Sequence, residues 1–127
     1  MFLEPSLLFK LVQFILKNRK GLAFKDWTEE DITVNLILRF SKQEASFSIN
    51  NETKEINGVV LACANEPSKT LRVVNILTTE PGVMKTFIRR FQSIYPDFTI
   101  DYKHNEQERG YTQDKTNKLC KLILNIT

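Results

Sequence analysis

The chain has 127 residues, of which 42% are hydrophobic and 26% charged, with a formal net charge of +3. This composition predicts a single folded domain over 1–127 and excludes an intrinsically disordered chain. The mild positive balance permits contact with phosphate groups but lacks the concentrated basic face of a domain built for duplex nucleic acid.

The one histidine, His104, rules out a multi-histidine metal site, and no metal centre is expected. Cys63 and Cys120 stand far apart without metal-ligand spacing, and read as two buried thiols of a reducing compartment. The apolar run Leu7–Leu16 (LLFKLVQFIL) differs from a signal peptide: Glu4 stands where positive charge belongs, Lys10 and Gln13 interrupt it, and no small-residue cleavage site follows. It is also too short to cross a bilayer, so a cytoplasmic protein without a membrane partner is expected.

In chain order, Leu7, Leu8, Leu11, Phe14 and Ile15 recur at spacings of three and four, one face of an amphipathic helix. Pro5 suits its first turn, and "NRKG" supplies basic residues at its end with Gly21 as the stop. "DWTEEDITVNLILRF" predicts a second helix, opened by a capping box of Thr28 and Asp31 and carrying Ile32, Leu36, Ile37 and Phe40 as its apolar stripe. The period then changes to two. "ASFSIN" alternates Phe47 and Ile49 with polar residues, "INGVVLACA" is a more continuously apolar strand, and "TLRVVNILT" is a third. Short polar connections, "NNETKE" and "NEPSK", make an antiparallel meander the simplest arrangement. After Pro81–Gly82, Val83, Met84, Phe87, Ile88, Phe91 and Ile94 take helical spacing, with Lys85, Arg89 and Arg90 elsewhere on the cylinder. Pro96 closes that helix, and "FTIDYKH" predicts a fourth strand, parallel to the third because a helical crossover joins them. The fold class is therefore α+β with a mixed sheet, divided into an N-terminal helix (1–24), a core (25–104) and a polar tail (105–127) that ends in a strand or helix.

That element order, over Lys25 to Tyr111, resembles the GNAT acyltransferase superfamily. The run from Ile56 to Arg109, "INGVVLACANEPSKTLRVVNILTTEPGVMKTFIRRFQSIYPDFTIDYKHNEQER", is similar in texture to the short GNAT-like proteins of phages and their hosts. The resemblance implies acetyl-CoA as bound co-substrate, an amine acceptor of unknown identity, and cytoplasmic residence (host cytoplasm for a phage protein). It also implies that the loop into the third helix presents amide N–H groups to a diphosphate. In that pattern Thr79 takes the Gln/Arg place, Gly82 the first glycine and Met84 the small-residue place, while Pro81 removes one donor. Leu77, Thr78, Thr79, Gly82, Val83 and Lys85 are the cofactor-binding candidates by the same reasoning.

The resemblance further implies a tyrosine as acid to the leaving thiolate, for which Tyr111 is the candidate, and a general base. Glu80 at the loop and Asp101 on the fourth strand are the best placed carboxylates, although an acid at a helix start also has an electrostatic reason to be there. His104, of the residue type suited to proton transfer at neutral pH, stands alone at a strand end, and Asn75 faces either a ligand or solvent. Tyr102 reads as core. In the tail, Lys103, His104, Arg109, Lys115, Lys118 and Lys121 interleave with Tyr102 and Tyr111, as in segments that track a nucleic-acid backbone; Glu106, Glu108 and Asp114 interrupt the run. Two functional readings result: an acyl-CoA-dependent N-acyltransferase, or a catalytically inactive GNAT-like module that binds protein or nucleic acid.

Overall fold

The computed structural model describes residues 3–102. In chain order they form α1 (Pro5–Asn18), α2 (Glu29–Ser41), β1 (Ala45–Ile49), β2 (Ile56–Asn65), β3 (Thr70–Thr78), α3 (Val83–Ile94) and β4 (Thr99–Tyr102). The strands make one mixed sheet in the order β1-β2-β3-β4. β1 and β3 flank β2 antiparallel, and β4 joins β3 in parallel from Thr70↔Thr99 to Val73↔Tyr102. The α+β class, the meander and the crossover are as expected; His104, Tyr111, Cys120 and the basic tail lie outside the described residues.

Helices cover both faces of this sheet, and the side-chain alternation of β2 explains how. Val59 and Leu61 enter a core with Leu11, Phe14 and Ile15 of α1 and Ile32, Leu36 and Phe40 of α2. Val60 and Ala62 enter a second core with Val83, Phe87, Ile88 and Phe91 of α3 and Ile100 and Tyr102 of β4. A strand buried on both faces reads as a continuous apolar run, which is why "GVVLA" lacks a polar alternate.

Gly58 sets how closely α3 approaches. A Cβ built there would lie 2.5 Å from Cγ1 of Val83 and 3.2 Å from Cζ of Phe87. Only a residue without a side chain lets the first turn of α3 lie against the sheet.

The helix ends follow local chemistry. Thr28 Oγ1 accepts from the Asp31 N–H at 3.0 Å while the Asp31 carboxylate accepts from the Thr28 N–H at 2.9 Å, the reciprocal box that the sequence predicts. α1 stops earlier than expected. Arg19, extended, is its C-cap, and Gly21 (φ +70°) belongs to the following turn rather than ending the helix. The Arg19 guanidinium donates to the carbonyls of Phe24 and Trp27 at 3.2 and 2.6 Å, folding that turn back over the first core. Phe24 takes φ +57° there, a conformation that costs an L-residue roughly 1–2 kcal/mol. Complete burial of its ring and a hydrogen bond from its N–H to Asn75 Oδ1 (3.1 Å) offset that strain.

Several apolar residues depart from their expected faces. Ile37 does not join the α2 stripe; it is exposed, with Val34 and Leu38, on the side of α2 away from the sheet. Ile49 is exposed at the end of β1, where the β1/β2 register shifts and leaves Asn57 as an extra residue on β2. Ile94 is exposed in the last turn of α3. Cys63 is an exposed free thiol rather than a buried one. Burial pulls the Arg39 pKa down, but its bonds to Glu44 and Cys63 and the Glu44 charge outweigh that and raise it. Glu44 is itself buried, accepting from Arg39 at 2.9 Å and from the Ala64 N–H at 2.7 Å.

Two measurements test this architecture. Gly58→Ala should cost about 1–3 kcal/mol in denaturant unfolding, and less in a Val83→Ala background where the clashing methyl is gone. The Tyr95 hydroxyl donates to the Lys42 and Gln43 carbonyls (3.3 and 3.2 Å), tying the end of α3 to the α2–β1 turn. Desolvation, then the Glu44 and Glu66 charges, raises its pKa, so the neutral form is favoured by folding. That contribution is complete below the unfolded value near 10 and is lost as pH rises through the folded one. Thermal melts across pH 9–12 should therefore fall less steeply for Tyr95→Phe than for the parent chain.

Candidate functional site

The junction between β3 and α3 is built from opposite sides. β3 loses its regular pairing at Val74: Leu61 faces Asn75 while the next residue, Ala62, faces Val73, so Val74 is an extra residue. Such a bulge bends a strand and increases its twist. The parallel ladder to β4 reaches the same point, with Val73↔Tyr102 as its last described pair. From Val74 to Thr78 the β4-side edge of β3 therefore has no strand partner among the described residues.

Past Thr78 the chain turns. Thr79 donates its N–H and its hydroxyl to the Asn57 carbonyl at 2.9 and 3.4 Å, which extends the β2–β3 pairing by one residue. Gly82 then takes φ +86° as N-cap of α3, with nothing within 4 Å of a Cβ built on it. No side chain caps the helix. The first-turn amides of Val83, Met84 and Lys85 lack intrahelical acceptors, and the positive end of the helix dipole lies with them.

Two flanks of this helix start differ in chemistry. On the β1–β2 hairpin side, Glu80 Oε1 accepts from Asn50 Nδ2 at 2.9 Å, and Oε2 accepts from Asn50 and Asn57 Nδ2 at 3.2 Å each. An open cavity of about 460 Å³ lies here, with Ser48, Asn50, Glu52, Asn57, Glu80 and Thr86 in its wall. Its two carboxylates make it a poor seat for an anion. Asn57 is buried, and its Oδ1 has no hydrogen-bond partner among the described residues. The amide cannot turn over to correct this, because Oδ1 would then face the Glu80 carboxylate.

On the other flank stands Lys85, half-buried and about 140° round the helix from Arg90. Arg90 points to β1, donating to Ser46 Oγ at 2.8 Å and to the Phe47 carbonyl. Lys85 therefore lies on the flank of α3 away from Arg90 and β1. Met84, in the place where the GNAT pattern has a small residue, packs into the second core, which takes its bulk away from the amides.

The other candidates are distributed as follows. Leu77 is buried in the first core, so only its backbone is available; Thr78 and Gly82 are exposed, and Val83 is buried against Gly58. Glu80 is brought to Asn50 and Asn57 rather than to the β3 edge. Asp101 lies 3.4 Å from the Arg72 guanidinium, and Asn75 is engaged by the Phe24 N–H. Tyr102 is core, as expected. The sequence reading missed Asn50 and Asn57. The available signal was a polar residue directly before the glycine of an otherwise apolar strand, and an asparagine-rich hairpin. Among the described residues no three His, Cys, Asp or Glu side chains converge as a metal-holding group, and no helix is long and apolar enough to cross a membrane.

Glu80→Ala leaves the buried Asn57 amide without its acceptor and should cost about 1–3 kcal/mol of unfolding free energy. Thr86→Ala, in the same cavity wall, should cost far less when both are measured by denaturant titration. Comparisons with protein-family models, with curated proteins and with solved structures find no match to this chain.

Proposed function

We propose that the protein is a GNAT-like acyl-CoA-dependent N-acyltransferase acting on an amine in the cytoplasm. The observation that carries this reading is the edge of β3 beyond the Val74 bulge, which has no strand partner among the described residues and leads directly into an uncapped helix start. Extended backbone with free amide and carbonyl groups suits the pantetheine arm, and the amides of Val83, Met84 and Lys85 suit the diphosphate. The Lys85 ammonium adds charge in the same turn. Pro81 removes a donor from the loop, but the three amides that follow it remain.

Acetyl-CoA, when bound, supplies a thioester carbon open to attack by an amine. The chain's residues position it: Gly82 keeps the approach to the first turn clear, and Thr78 and Thr79 continue the strand edge toward it. Tyr111 is the proposed proton donor to the leaving thiolate. Glu80 is the proposed base; its carboxylate is held by Asn50 and Asn57 on the hairpin flank, away from the β3 edge. That same engagement favours a second reading, a catalytically inactive GNAT-like module that binds protein or nucleic acid.

Millimolar acetyl-CoA should raise the melting temperature by several degrees through linkage. Lys85→Glu should abolish that rise while leaving the ligand-free melting temperature nearly unchanged. Release of free thiol with an amine panel then separates the readings: a thermal shift with turnover supports the transferase, and a shift without turnover supports the inactive module. No shift at all would reject a coenzyme site.

A further inference from the structure

Helix α2 carries apolar residues on two sides, and only one side is used by the first core. Ile32, Leu36 and Phe40 face the sheet. On the opposite side Val34, Ile37 and Leu38 are 55%, 51% and 42% exposed, the densest exposed apolar group on any one element here. Glu30 stands one turn before Val34 and Lys42 one turn after Leu38, so the stripe reads Glu30, Val34, Ile37, Leu38, Lys42 at spacings of three and four. Neither the Glu30 carboxylate nor the Lys42 ammonium has a partner among the described residues. Their neighbours are committed: Asp31 to the capping box and Arg39 to Glu44.

This order of charges is self-complementary in one orientation alone. Two copies of α2 laid antiparallel about a two-fold axis near position 36 place Val34 of each protomer on Leu38 of its partner, with Ile37 beside the axis. Glu30 of each then meets Lys42 of the other, twice, about 18 Å apart along the helix. The opposing helix dipoles align favourably as well. A parallel pairing would set Glu30 against Glu30 and Lys42 against Lys42. We propose that the outer face of α2 is an isologous dimer interface whose occupant is a second copy of this chain. One helix face per protomer is a small contact, at the low end of specific interfaces, so the dimer is expected to dissociate in the micromolar range. The interface lies on the side of the sheet opposite α3, so it leaves the start of α3 open and does not depend on the acyl-transfer reading.

Sedimentation equilibrium of the full chain from 1 to 300 μM at 50 mM NaCl tests this, with circular dichroism to confirm that each variant is folded. A monomer–dimer equilibrium is expected, weakened several-fold at 500 mM NaCl. Glu30→Lys should weaken it about tenfold, because two attractive pairs become repulsive, and Lys42→Glu should do the same. The double charge swap, Glu30→Lys with Lys42→Glu, should restore the parent dissociation constant to within about threefold, since complementarity is regained with opposite sign. Leu38→Gln removes apolar contact without touching charge and should also yield monomer. A chain that stays monomeric at 300 μM, its stripe covered by a different protein or by residues 103–127, overturns the proposal. So does a dimer indifferent to the single charge changes or unrecovered by the double swap.

Discussion

The structure depends on burial of β2 from both sides at once. A single strand supplies Val59 and Leu61 to one core and Val60 and Ala62 to the other, and neither core closes without it. α1 and α2 dock on one face and α3 on the other, while the strands at either side of β2 are covered only in part, with Ile49 of β1 and Val74 of β3 exposed. Gly58 is where this arrangement is tightest. The helix on the far face rests on bare backbone there, and the same contact orients the first turn of α3 and its unpaired amides.

That contact also explains why the two flanks of the α3 start differ. The hairpin flank is held by polar ties, with Glu80 drawing Asn50 and Asn57 together and Arg90 reaching back to β1. The other flank is apolar beneath and open above, because β3 bulges at Val74 and its ladder with β4 is described only through Val73. A carboxylate-lined hollow, whose wall includes Gly82 and Val83 at the start of α3, thus lies beside the end of β3.

Much of this was legible because periodicity reports burial. The capping box at Thr28, the meander, the crossover helix and the core role of Tyr102 follow from spacing and turn chemistry that act over a few residues. The departures have a common cause. Ile37, Ile49 and Ile94 satisfy the apolar pattern of their elements, yet sit where a helix face is surplus, where a register slips, or where a helix end extends past its floor. A pattern records which residues are apolar, not how much neighbouring surface exists to cover them. The tie between Glu80 and Asn57 was hidden for a different reason: 23 positions separate them, and only strand pairing makes them neighbours.

By itself the sequence determined the kind and order of the elements, the parallel direction of the β3–α3–β4 crossover and the location of the strand–loop–helix junction. Those features rest on local conformational preference and on chain connectivity, which act before any distant contact forms. Only the tertiary structure decided that Glu80 turns to the hairpin, that Val74 bulges at the last described rung of the parallel ladder, and that α2 keeps an apolar face outside the core. These depend on how three layers divide a limited buried volume, a competition among distant side chains that no short window of sequence contains.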